Sequence, residues 1–232
     1  MSGIFIPRLS LYSYNFPDPR YASREGIVAY GGDLNPNRLL NAYKWGIFPW
    51  YNEGDPILWW SPDPRLLLYP TDIKISRSLR KSLKKFTVKI DTEFKAVIES
   101  CKELRQEKGT WILPEVVEAF CELHEMGFAH SIEVYQEQTL VGGLYGLSMG
   151  AAFFGESMFS KVSDASKVAL VHLCKLAEEF KFDFIDCQVP SDHLKRLGAV
   201  EIARDQFLDE LERAMQKSSK VGKWTREEHV LT

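Results

Sequence analysis

The sequence predicts an α+β fold with a small, loop-rich N-terminal domain over residues 1–63. A larger domain over residues 64–232 is expected to hold a mixed sheet flanked by helices. Three observations point there. Nine of the eleven prolines lie within the first seventy residues, and proline fixes φ and removes a backbone donor, which favours loops and short elements. From Ser76 apolar residues recur at helical spacing. After Gly127 that spacing gives way to strand-like alternation and then alternates between the two.

Seven aromatics crowd the stretch Tyr43–Trp60: Tyr43, Trp45, Phe48, Trp50, Tyr51, Trp59 and Trp60. A short helix fits Asn37–Trp45, with Asn35 or Asn37 as its cap. Ser76–Lys85 reads as a helix with Leu79, Leu83 and Phe86 inward. Asp91–Gln106 reads as a second, placing Phe94, Val97, Ile98, Cys101 and Leu104 on one side. Pro114 suits the first turn of a third helix and Gly127 its end. Ala129–Tyr135, Leu140–Leu147 and Ala151–Phe159 follow as three strands on short turns. Asp164–Phe180 returns to helix. Phe182–Cys187 is a short apolar strand, Ser191–Leu197 a short helix stopped by Gly198, Val200–Ala203 a strand and Arg204–Met215 a last helix. The polar tail after Gln216 is expected to be loose. The order after Gly127, β-β-β-α-β-α-β-α, favours a mixed sheet with helices packed on it. It resembles the GNAT acetyltransferase superfamily, so the expected sheet is GNAT-like; fold alone does not give function.

The composition is that of an ordinary globular protein, 45% hydrophobic and 26% charged. Four cysteines, Cys101, Cys121, Cys174 and Cys187, sit in apolar stretches with no CxxC pair, which suits reduced thiols. No signal peptide or membrane span is visible from Met1 to Pro17, and a cytosolic location is the default. The net charge of −3 conceals an asymmetry. Between Lys74 and Lys89 there are seven basic residues and no acidic one, a basic island on an otherwise acidic chain. On a helix, Arg77, Arg80, Lys81, Lys84 and Lys85 share a face opposite Leu79, Leu83 and Phe86. Like charges there repel, and phosphates would relieve the repulsion; a solvated helix face is the plainer alternative.

Several residues can carry chemistry. Trp50, Trp59, Trp60 and Trp111 suit stacking on a base or core packing, with Trp111 in a loop after Gly109. Glu156 lies in the apolar run Ala151–Phe159, and a buried carboxylate needs a partner: Lys161, Lys167 or a cationic substrate. Leu144, Phe153, Met158 and Leu170 can line an apolar pocket beside it, or be core. Asp186 and Gln188 close a strand before Pro190, where ligands often bind, and alternation puts both on one face with Cys187 pointing away. The same residues are also ordinary at a strand exit. A Cys187 nucleophile with His172 or His193 as base is disfavoured by that orientation. The five histidines show no metal-ligand spacing. The closest match to a CoA pyrophosphate loop, Gln106–Trp111, fails at its last position, which speaks against a CoA-dependent acetyltransferase.

Eight ordered segments resemble the bacterial leucyl/phenylalanyl-tRNA–protein transferase family: Gly31–Leu34, Gly46–Trp50, Leu58–Arg65, Gly109–Ile112, Ala129–Glu133, Gly155–Ser160, Ala165–Lys167 and Asp186–Gln188. The resemblance implies transfer of Leu or Phe, and Met less well, from tRNA to proteins beginning with Arg or Lys, marking them for degradation by the N-end rule pathway. It implies work without CoA or metal, and a monomer is the expectation. By the same resemblance, Trp50 and Trp111 would hold the 3′ adenosine. Arg77, Arg80, Lys84 and Lys85 would meet acceptor-stem phosphates, with Lys81 on the same basic face. Met158 and Leu170 would line the aminoacyl pocket, Glu156 would meet the acceptor peptide, and Asp186 and Gln188 would serve the transfer step. Leu144 stands where the family pattern has Met and Leu173 where it has Phe. Both would border the pocket, so the Leu/Phe/Met balance is expected to differ. The competing expectation is a non-catalytic tRNA-binding module.

Overall fold

A computed structural model describes residues 6–104 and 111–224. The Gly109–Thr110 motif, the Gln106 end of the second helix and the near-match to a pyrophosphate loop therefore fall wholly or partly outside the described residues.

Two sheets form. The smaller joins β1 (Arg8–Leu9), β2 (Ile27–Gly31), β3 (Phe48–Pro49) and β4 (Leu58–Trp60) in the order β1-β2-β4-β3. Helix α1 (Pro36–Lys44) lies between β2 and β3, and the Asn35 side chain caps it by accepting from the Asn37 N–H. The larger sheet contains β5 (Arg65–Leu68), β6 (Thr87–Ile90), β7 (Ala129–Gln136), β8 (Thr139–Met149), β9 (Ala152–Ser160), β10 (Phe184–Asp186) and β11 (Val200–Ile202). Its order is β11-β5-β10-β9-β8-β7-β6. Among the described strands of this larger sheet only the β9–β10 pair is parallel. Helices α2 (Arg77–Ser82), α3 (Phe94–Glu103), α4 (Pro114–Glu125), α5 (Ala165–Phe180), α6 (Asp192–Arg196) and α7 (Arg204–Met215) complete the chain.

The core has two parts, one on each face of the large sheet. On one face Leu67, Tyr145, Leu147, Phe154 and Phe184 pack with α3, α4, α7 and the buried side of α1. On the other, Leu66, Leu68, Leu144, Phe153 and Ile185 pack with α5 and with Leu79 and Leu83. Successive strand residues serve opposite faces, which is why β5 reads as an unbroken apolar run after Arg65 and all four of its residues are buried.

The α+β class and the mixed sheet between helices are as expected. Three details differ. The basic helix is α only to Ser82 and continues as a tighter 3-10 turn over Leu83–Lys85, because Phe86 is already extended to lead into β6. Leu79, Leu83 and Phe86 are nevertheless buried. Strands β5 and β6 were not anticipated. The second hides in a lysine-containing stretch whose alternation, Val88 and Ile90 inward, is only four residues long. The described part of the tail after Gln216 is anchored at Trp224. The buried Trp224 ring stacks on His130 at 3.5 Å, and the Trp224 backbone N–H donates to Asp91 Oδ2 at 2.8 Å. A polar composition concealed one anchoring aromatic.

Candidate active site

Strands β9 and β10 are bonded only across Ala152–Phe154 and Phe184–Asp186. Past those residues both chains depart from regular strand. In β9 the register shifts: Tyr145 faces Ser157 while Gly146 faces Gly155, leaving Glu156 as the extra residue of a β-bulge. In the other chain β10 stops at Asp186, and Gln188 adopts a left-handed backbone with φ 65°. Between the diverging ends of two parallel strands, where open sheets commonly hold ligands, lies a cleft of about 600 Å³.

The polar floor of the cleft is one connected cluster. Glu156 is 7% exposed. Its Oε1 accepts from Tyr43 Oη at 2.7 Å and from Gln188 Nε2 at 2.6 Å, while Oε2 has no hydrogen-bond partner among the described residues. Asp186 is fully buried and takes a fork from Arg65, Nε to Oδ1 at 2.8 Å and Nη2 to Oδ2 at 2.5 Å. Arg65 Nη1 also donates to the Gly46 carbonyl, and the guanidinium lies over the Phe207 ring at 4.3 Å. The Gln188 N–H donates to Asp186 Oδ1 at 2.9 Å, and its carbonyl accepts from the Leu66 N–H. Gln188 is thus held at its N–H, its carbonyl and its side-chain amide. That over-determination lets a non-glycine residue keep a left-handed backbone.

Burial pushes the Glu156 carboxyl up to about 7; donation from Tyr43 and Gln188 opposes this and the nearby Asp186 adds to it. The ordinary value is 4.5, so between 4.5 and about 7 the unfolded chain ionises first. The stability that neutral Glu156 contributes is complete below 4.5 and is lost as pH rises to about 7, a change of at most about 3 kcal/mol. Glu156→Gln removes this dependence. The variant's Tm relative to wild type should therefore rise between pH 5 and pH 8, and thermal melts at both pH values check it. An unchanged difference would rule out a titrating buried carboxyl.

Most of the anticipated residues converge here. Leu144, Met158, Leu170 and Leu173 form the apolar wall, and Trp50 and Trp111 stand with Glu156 and Gln188 in the lining. Trp50 is 42% exposed. Phe153 is a correction. It is not among the lining residues; it alternates to the α5 face and packs 6.1 Å from the Trp224 ring, because the bulge comes only after it. Asp186 and Gln188 are not same-face neighbours on a strand, since the strand ends at Asp186. Asp186 is sealed behind Arg65, and the Gln188 N–H is bonded to its carboxylate. Neither expected lysine pairs with Glu156: Lys167 bonds Asp164 at 2.8 Å and Lys161 lies over Phe159. Cys187 lines the cleft instead of pointing away from it, but burial pushes its thiol well up, so it is a poor nucleophile. Arg77, Arg80, Lys81, Lys84 and Lys85 are all exposed and make no ion pair among the described residues. No group of three potential metal ligands occurs among those residues, and no described helix is long and apolar enough to cross a membrane.

A family model described as leucyl/phenylalanyl-tRNA protein transferase matches residues 67–212, and one described as the N-terminal domain of that transferase matches residues 32–63. The chain belongs to the leucyl/phenylalanyl-tRNA protein transferase family. It is 52% identical over 215 residues to such a transferase from Legionella pneumophila strain Lens, covering 92% of this chain and 97% of that protein. It is 54% identical over 208 residues to one from Sulfurimonas denitrificans, covering 89% and 91%. As a member of this family the protein is an aminoacyltransferase. Among solved structures it is similar to a GCN5-related N-acetyltransferase from Kribbella flavida, with TM-score 0.39 and 11% identity over 71% of this chain and 60% of that one. A likeness that slight carries no argument.

Two members of the buried polar cluster escaped the sequence reading. Arg65 opens an otherwise apolar strand, the same signal that exposed Glu156, and it could have been found that way. Tyr43 read as one aromatic among seven. Only the packing of α1 against β9 brings its hydroxyl to Glu156.

Proposed function

We propose that the cleft receives the aminoacylated 3′ end of a tRNA and passes Leu or Phe, and Met less well, to the N-terminal Arg or Lys of a protein. The product would be marked for degradation by the N-end rule pathway. The observation that carries this reading is the Tyr43–Glu156–Gln188 cluster beside an apolar wall in one cleft. An apolar side chain and an amine thereby find suitable surroundings a few ångströms apart.

The donor is an activated ester and the acceptor an α-amino group. Its reference pKa is about 7.7–8.0, so a usable fraction is neutral near pH 7 and no strong base is required. Holding amine and ester carbonyl in contact supplies on the order of 7–11 kcal/mol at best. Gln188 gives its Nε2 to Glu156, which leaves its side-chain Oε1 as the end that would accept a hydrogen bond from the amine. Glutamine is too weak a base to deprotonate the amine fully, so its task is to aim it. Trp50 and Trp111 would stack the terminal adenosine. The exposed cations on α2 and its 3-10 extension would meet acceptor-stem phosphates. Each of Arg77, Arg80, Lys84 and Lys85 replaced by Ala should weaken tRNA binding and lower the slope of log K against log salt by about 1. A titration at several salt concentrations checks this.

Incubation with radiolabelled Leu-tRNA and an Arg-starting peptide, without CoA, separates the readings. Labelled peptide supports transfer. Tight tRNA binding without product supports a non-catalytic module, and a requirement for CoA supports an acetyltransferase. The wall of Leu144, Met158, Leu170 and Leu173 suits linear or γ-branched side chains. Ile-tRNA should therefore be used at least about tenfold less well than Leu-tRNA, and equal transfer would contradict that pocket.

A further inference from the structure

Beyond the basic helix, a second group of donors, Lys167, His193 and Arg196, gathers near the cleft. Lys167 on α5 is one helical turn before Leu170, which lines the cleft, so Lys167 stands above that wall at the lip. His193 on α6 lines the cleft itself, is exposed, and is close enough to feel the Lys167 charge. Arg196, one turn further along α6, is exposed and has no ion pair among the described residues. This lip is tied to the basic helix through Asp164: Asp164 Oδ2 accepts from Ser82 Oγ of α2 at 2.9 Å, and Oδ1 accepts from Lys167 Nζ at 2.8 Å. The remaining two donors of the Lys167 ammonium are not used by that bond.

Resting on the proposed transfer from tRNA, we propose that Lys167, His193 and Arg196 form the track for the phosphodiesters joining the last nucleotides of the tRNA 3′ end, between the stem on α2 and the adenosine in the cleft. Burial first, and then the neighbouring Lys167 and Arg196, push His193 below its ordinary value, so it serves the lip as a neutral hydrogen-bond donor beside two cations. Asp164 offsets part of the Lys167 charge, while Arg196 has no ion pair among the described residues, and phosphates laid along the lip would offset the remainder. The track reads charge and not base identity, in keeping with a 3′ end that is the same in every tRNA.

The test compares three donors with one acceptor peptide: full Leu-tRNA, a leucylated CCA trinucleotide, and leucyl-adenosine, which has no phosphodiester. Lys167→Met and Arg196→Ala should each lower kcat/KM by about tenfold with the trinucleotide and with tRNA, the scale of one lost charge-assisted contact, and leave leucyl-adenosine unchanged. Arg77→Ala on the basic helix should affect tRNA alone. Arg196→Ala, at an exposed position without an ion pair, guards against misfolding in Lys167→Met. Equal losses with leucyl-adenosine would assign these residues a structural role, and no loss with the trinucleotide would remove the track; either result overturns the proposal. Failure of wild type with all three donors would instead overturn transfer from tRNA.

Discussion

Asp186→Ala is expected to lower the unfolding free energy by about 3–5 kcal/mol, among the largest losses from any single substitution in the chain. The reason is the state in which it leaves Arg65. Both side chains are fully buried, and without the carboxylate a guanidinium remains in the core with the Gly46 carbonyl and two aromatic rings as its company. Arg65→Met leaves the converse defect and should cost a similar amount. The double variant Arg65→Met with Asp186→Leu removes both charges. It should recover much of the stability without recovering transfer, because Gln188 loses the acceptor for its N–H. Urea unfolding of the three variants with transfer assayed in parallel tests this. If the double variant were as unstable as Asp186→Ala, lost packing and not an unpaired charge would be the cause.

Much of the fold was legible because its signals are long. The sixteen residues of α5 and the three consecutive strands β7, β8 and β9 carry enough periodicity to be placed within a few residues. Short elements were not. β5 and β6 have four residues each, too few for alternation to separate strand from loop. The site was half legible. A carboxylate in an apolar strand and a polar pair at a strand exit exposed Glu156, Asp186 and Gln188. Their connection was not. It depends on the bulge that re-aims Glu156, on the left-handed turn at Gln188, and on partners more than a hundred residues distant, Tyr43 and Arg65. The alternation rule even misled at Phe153 and Cys187, since it assumes a regular strand where the chain bends to build a cleft.

Gln188 carries the second large effect. Its side-chain Nε2 donates to Glu156, its backbone hangs from the Arg65–Asp186 pair, and its side-chain Oε1 is the group that would aim the incoming amine. Replacement by Ala leaves the buried ion pair intact and removes only that oxygen and one bond to Glu156, so stability should change little while the transfer step slows about a hundredfold. Gln188→Gly serves as a further control. Glycine adopts φ 65° without strain, so this variant should fold at least as well as wild type and be equally slow. The deciding measurement is single-turnover transfer of labelled leucine from Leu-tRNA to an Arg-starting peptide by wild type and Gln188→Ala at saturating tRNA. A rate about a hundredfold lower with unchanged tRNA affinity is the expected result. A wild-type rate in the variant would contradict transfer at this cluster.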